Sequence, residues 1–277
     1  MGCDAITLGS RDFGAGLDNL LDLRSNAEFH FISANIKDEF GSLLFEPYTI
    51  LQQDGMRLGI IGLTSVVMHD ELKVEDPLPV LQSLISEVSI QSDFVVLLYH
   101  ASDQDVAAIK NSSLDIDLII QSKSRQRSNN GGNARIPVFS CGDRGKLVYR
   151  FEVAINNYGE KLVDVSNLEK DITTLTRRLK MQADKSKAVG DLAMESEKKR
   201  IAEEKQLRER ITKIEQQIQE TDNYIRFEKI ELGKSVVDEP EVLIIVEDGK
   251  REITKNSPQP ALPLNKPVKQ KSIPRKP

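Results

Sequence analysis

The run Phe94-Val95-Val96-Leu97-Leu98-Tyr99 narrows the fold more than any other stretch of the chain. Apolar residues in unbroken succession read as a strand covered on both faces, the condition of a central strand in an α/β sheet. Its neighbours agree. Val80, Leu81, Leu84, Ile85 and Val88 recur at helical spacing before it, and a helix over Asp103 to Lys110 and a strand over Leu118 to Ile120 follow. Upstream, Tyr48 to Gln53 and Met56 to Thr64 flank Asp54-Gly55, a residue pair suited to a two-residue hairpin turn.

Short strands are expected at Ala5 to Leu8 and Phe29 to Ser33, with a helical stripe over Asp12 to Arg24 between them. Gln121 to Arg135 is polar and carries Asn129-Asn130-Gly131-Gly132, so it reads as a loop. Strands at Ile136 to Ser140 and Leu147 to Ile155 close a first unit over residues 1–157. Strands alternating with helices and hairpins predict a layered α/β domain.

The next region changes in kind. Leu168, Ile172, Leu175 and Leu179 recur at spacings of four and three, as do Leu207, Ile211, Ile214, Ile218 and Ile225 with Thr221 in the remaining seam position. Dense Lys, Arg, Glu and Gln between them give residues 165–232 a coiled-coil pattern. Gly190 weakens the seam, leaving two outcomes open: one long helix pairing with another chain, or an antiparallel hairpin turning there. Either way, self-association or a partner helix is expected through residues 165–230. Residues 233–277 hold a short apolar piece at Val242 to Val246 and then a Pro- and Lys-rich tail. That composition predicts a linker and disorder.

Composition excludes several classes. A net charge of −5 carries no nucleic-acid signature. Cys3 and Cys141 are too few for a disulfide framework and lack metal-type spacing. No apolar run approaches the roughly 20 residues a membrane helix needs. No basic-then-apolar leader follows Met1, so the chain as given reads as soluble and cytoplasmic, or periplasmic if a signal precedes it.

Ordered landmarks in the first unit carry a resemblance. Ala5-Ile6-Thr7-Leu8-Gly9-Ser10-Arg11-Asp12-Phe13 resembles the "DAxTxGNHEFD" signature of the 5′-nucleotidase branch of the calcineurin-like metallophosphoesterases. Phe31-Ile32-Ser33-Ala34-Asn35 is similar to its "LSAN" strand, and Leu44 to Ile50 with Gly55 and Gly59 to Thr64 to its "lfkPYtI…G.kvGiIGlt" segment. Leu97-Leu98-Tyr99-His100 resembles its "LSH" strand end, and Asp117 to Arg125 its "DLIIGGHSH". The resemblance covers about residues 1–155, implies a partial metallophosphoesterase-type domain, and lacks the family's second domain.

The resemblance implies a pair of divalent metals (Mn, Zn or similar) that activates water and neutralises phosphoryl oxygens. Such metals need lone pairs. Ser10 stands in place of the Asn ligand and Arg11 in place of the catalytic His; Lys123 and Arg125 stand in place of two His ligands. Arginine and lysine side chains offer donors only. His100 alone survives as a family ligand, and as a strand-end His it also reads as a hydrogen-bonded structural residue. His30 and His69 fall outside the motifs. Asp103 and Asp105 read as helix caps, and Ser10, Ser122 and Ser124 lack a base with a positioning acid.

Three expectations follow. The chain is a degenerate, non-catalytic relative acting as a binding or assembly module, with no cofactor. Alternatively it is a metal-dependent phosphoesterase of nucleotide catabolism, in a bacterial setting, whose first ligands lie upstream of Met1. Finally, Arg11, Lys123 and Arg125 form an anion-binding cluster for phosphate or nucleotide.

Overall fold

The computed structural model describes residues 2–65, 67, 71–124, 136–142, 145–157, 160, 162–188, 194–233 and 235–256. They fall into two units, residues 1–232 and 233–277.

At the centre of the first unit is a five-stranded sheet of order β4-β5-β7-β8-β9. Its strands are β4 (Tyr48–Gln53), β5 (Met56–Thr64), β7 (Phe94–His100), β8 (Leu118–Ser122) and β9 (Val138–Phe139). β4 runs antiparallel through the hairpin at Asp54-Gly55, where both residues have positive φ as the turn requires. The other pairings are parallel. Phe94 to Leu97 are all buried, so the apolar run is indeed a strand covered on both sides.

One face carries Ile61, Leu63, Val95, Leu97, Tyr99, Ile119 and Val138 against helices α2 (Pro77–Gln91) and α3 (Asp103–Asn111). Helix α2 starts on an Asp76 cap followed by Pro77 at its first position. Helix α3 starts on a capping box between Ser102 and Asp105; of the two acidic residues expected to cap it only Asp105 does so, while Asp103 Oδ1 accepts from Gln121 Nε2 at 2.8 Å.

The opposite face is covered in two places. Phe94, Val96, Leu118 and Phe139 pack on Ile225 and Phe227 of a second sheet. That sheet has the order β10-β12-β11, from β10 (Leu147–Ala154), β11 (Val163–Asp164) and β12 (Tyr224–Glu231). Towards the carboxyl end lies a parallel pair, β1 (Ala5–Thr7) and β2 (His30–Ile32), backed by α1 (Leu17–Ser25). Gly62 lets this pair approach closely, since a β-carbon there would meet the Ile32 carbonyl oxygen at 2.3 Å. A short pair, β3 (Ile36–Lys37) with β6 (Lys73–Val74), completes the unit.

Beyond β10 the structure differs from the sequence reading. Ile225 is no seam residue: it is fully buried in β12, which pairs antiparallel with β10 over its whole length and parallel with β11. Helical spacing carries through Thr221 by coincidence, and the partner that makes 224–231 a strand lies some seventy residues upstream. Helices α4 (Val165–Ala188) and α5 (Met194–Gln219) therefore form an insertion between two strands of one sheet. They pack on each other with Leu175 and Ile214 buried, and Gln182 Nε2 donates to Glu203 Oε2 at 3.4 Å. This is the hairpin alternative; Gly190 itself lies outside the described residues.

The root of the arm is polar and specific. Arg226 on β12 reaches Glu152 on β10 at 2.9 Å and Glu169 on α4 at 2.9 Å. The Ser166 hydroxyl accepts from Phe227 N at 2.7 Å, and Lys170 Nζ lies 4.0 Å above the Phe227 ring.

In the second unit the expectation of disorder over 233–277 is corrected for Pro240–Asn256, which form helix α6. Pro240 at a first helical position is a start signal that the short apolar run obscured. Residues 257–277 lie outside the described residues. No helix among the described residues is long and apolar enough to cross a membrane.

Candidate functional site

The carboxyl ends of β1, β5, β7 and β8 meet at one edge. Strand register sets Thr64, His100 and Ser122 side by side on parallel neighbours, so their side chains leave the same face of the sheet. His100 Nδ1 lies 2.9 Å from Ser122 Oγ. The turn after β1 crosses over the imidazole: a β-carbon on Gly9 would stand 2.6–2.8 Å from three of its ring atoms. Asp12 holds that turn, its Oδ2 accepting from Gly9 N at 2.7 Å. The turn also explains why the helix predicted from Asp12 begins only at Leu17.

Arg11 follows Ser10 in this exposed turn, and Lys123 follows Ser122 at the end of β8. Their charges register at the imidazole. Burial holds the His100 pKa below its ordinary value, the Lys123 cation lowers it further, Asp12 opposes and Arg11 adds to the lowering. The edge thus sets Lys123, beside Ser122, and Arg11, two residues from Gly9, in the neighbourhood of His100. Arg125 and His69 lie outside the described residues. Lys123 has φ 73°, a left-handed conformation that costs a side-chain-bearing residue roughly 1–2 kcal/mol.

Two carboxylates border the cluster, and both are turned to local backbone. Asp12 serves Gly9. Asp105 serves Ser102, accepting from its N at 3.1 Å and from its Oγ at 2.6 Å. Burial pushes the Asp105 carboxyl upward, but hydrogen bonds from Ser102 and Ser65 and the charge of Lys123 bring it below the usual range. Among the described residues, neither Arg11 nor Lys123 takes part in an ion pair.

Asn35, which closes the "LSAN"-like segment and has no assigned role there, is a structural member of the edge. Fully buried, its Nδ2 donates to Thr64 O at 2.6 Å and to Glu75 O at 2.9 Å, while its Oδ1 accepts from Thr64 N at 3.1 Å. One amide therefore fixes the end of β5 beside His100. A polar residue closing the apolar strand Phe31-Ile32 was the available signal. His30 lies away from the edge, with Nδ1 3.0 Å from Glu46 Oε2.

The donor set at this edge does not fit a pair of divalent metals. His100 supplies one imidazole whose Nδ1 is engaged with Ser122, and Lys123 and Arg11 have no electron pair to share. Among the described residues, no group of three or more His, Cys, Asp or Glu is placed to hold a metal ion.

In sequence the chain is 38% identical over 78 residues to the 5′-nucleotidase of Vibrio cholerae, covering 28% of this chain and 14% of that protein. It is 30% identical over 129 residues to the NAD 5′-nucleotidase of Haemophilus influenzae, covering 43% and 21%. The chain thus spans between about a seventh and a fifth of these relatives. In fold it is similar to a Staphylococcus aureus protein assigned as a 5′-nucleotidase and solved with α-ketoglutarate (TM-score 0.50, 22% identity, 56% of this chain and 35% of that one). The sulfate thiohydrolase SoxB of Thermus thermophilus, solved with glycerol, is similar too (TM-score 0.50, 23% identity, 55% and 30%). No protein-family model matches the chain.

The first unit is thus similar in fold to a structure assigned as a 5′-nucleotidase. Stretches of it are similar in sequence to 5′-nucleotidases and to the protein UshA of Salmonella pullorum, 33% identical over 78 residues.

Proposed function

We propose that this chain is a non-catalytic relative of the 5′-nucleotidase and UshA-like branch of the calcineurin-like metallophosphoesterases, a binding and assembly module built on a phosphoesterase scaffold. The observation that carries this reading is the placement of Lys123, next to the Ser122 that bonds His100, and of Arg11, in the turn that crosses the His100 ring, at the strand edge. Fixed cations there disfavour the approach of a dication: two unit charges 4 Å apart repel by about 4 kcal/mol at an effective dielectric near 20. A guanidinium in the position of Arg11 cannot serve as a general acid near neutral pH. The α4–α5 hairpin, rooted by Arg226 in the sheet that backs the site, is the contact arm for a second copy or a partner helix.

A second reading, a metal-dependent phosphoesterase whose further ligands come from a preceding segment, draws support from the relatives named 5′-nucleotidase, which are far longer than this chain. Release of phosphate from nucleotides and generic phosphate esters with Mn²⁺ or Zn²⁺ separates the two. The first reading expects no turnover above the buffer rate; metal-dependent turnover establishes the second.

A further inference from the structure

We infer that strand β10 is a self-association edge: it pairs antiparallel with β10 of a second copy about Phe151, merging two three-stranded sheets into one of six strands. The association is independent of turnover near His100, and it uses a face other than the α4–α5 arm.

Among the described residues β12 is the one strand that pairs with β10, and it does so from Leu147 to Ala154. The backbone of β10 alternates in direction. Leu232 N donates to Lys146 O on the β12 side, so even-numbered residues direct their hydrogen-bonding groups towards β12. Tyr149 N–H points the other way, to the Cys141 thiol. Phe151 and Val153 therefore turn their N–H and C=O groups outward, where no strand among the described residues meets them. An open row of this kind is a template for another strand.

The side chains select a second copy as that strand. In register about Phe151, Arg150 stands opposite Glu152 of the second copy, and two-fold symmetry repeats the pair. Val148 meets Ala154, and Tyr149 meets Val153. Within one chain Arg150 already faces Glu228 at 2.6 Å and Glu152 faces Arg226 at 2.9 Å, all four on the outer face of the sheet. Association extends these pairs into one row of alternating sign, Glu228–Arg150–Glu152–Arg226, across four strands. The neighbouring registers set Arg150 on Arg150 or Glu152 on Glu152, and like charges directly opposite are destabilising.

Sedimentation equilibrium of the full chain, with hydrogen exchange on the same samples, tests this edge. The unmodified chain should double in mass on concentration, and the Phe151 and Val153 amides should become protected as it does. Arg150→Glu leaves two acids on the outer face of β10 and Glu152→Arg two bases; each should raise the dimer dissociation constant roughly tenfold or more. Mixing the two variants in equal amounts should restore the dimer, since every acid then faces a base. Thermal melts check that both variants fold; if one does not, exchange in the unmodified chain decides alone. A chain that stays monomeric overturns the inference. So does a dimer whose Phe151 and Val153 amides exchange as fast as in the monomer, or one that survives undiminished in both single variants.

Discussion

Gly9 and His100 occupy each other's space: the imidazole fills the volume a side chain at position 9 would need, at 2.6–2.8 Å from an ideal β-carbon. The contact joins β1 to the end of β7 and fixes which way the ring faces. Gly9→Ala must push the ring off Ser122, because His100 is the movable partner. Overpacking of this kind costs roughly 1–3 kcal/mol. Urea unfolding should show that loss, and the His100 ring resonances should shift. An unchanged ring spectrum would mean the two residues are not in contact.

Asn35→Ala leaves both backbone groups of buried Thr64 and the Glu75 carbonyl without their amide partner. Each unsatisfied buried group costs about 1–3 kcal/mol, so a loss of at least 2 kcal/mol is expected in chemical denaturation. A loss below about 0.5 kcal/mol would remove Asn35 from its place as the clamp of β5.

Lys123→Gly should act in the opposite sense on stability. Glycine adopts φ 73° freely where lysine does not, so an increase of about 0.5–1 kcal/mol in unfolding free energy is expected. A destabilised variant would show that the left-handed conformation carries no strain.

Acid should strengthen one part of the sheet. Burial, partly offset by the hydrogen bond from Val95 N at 2.8 Å, pushes the Asp117 carboxyl up to about 6, and Asp115 adds to the rise. A carboxyl whose folded pKa exceeds its unfolded one binds more protons when folded. Its stabilising contribution is therefore fully present below about pH 4 and is lost as pH rises through about 6. Asp117→Asn, which retains an oxygen acceptor for Val95, should flatten the stability profile between pH 4 and 7. An unaltered profile would contradict the assignment.

Much of the central sheet was legible because its signals are local. Asp54-Gly55 determines a hairpin by itself, and the run from Phe94 fits only a doubly covered strand. The Ser102–Asp105 capping box sits within three residues of its helix start. The missed elements depend on distant partners. Within 224–231 the alternation Ile225-Arg226-Phe227-Glu228 is a strand signal, but it is short and follows helical spacing without a break in period, so only pairing with β10 decides it. Helix α6 was hidden because five adjacent apolar residues, Val242 to Val246, have no helical period, and Leu243, Ile244, Ile245 and Val246 remain exposed in it. At the site, motif positions located Arg11, Lys123 and His100. They could not reveal that Ser122 binds the imidazole or that Asn35 holds β5, since both depend on register between strands.

Mn²⁺ and Zn²⁺ should find no site at the strand edge beside His100, where Lys123 and Arg11 offer no electron pair, and a metal titration decides the matter. Purified chain, stripped with EDTA and titrated with Mn²⁺ or Zn²⁺ in a calorimeter, should take up no stoichiometric tightly held ion. Two equivalents bound with submicromolar affinity, lost in His100→Ala, would contradict the account.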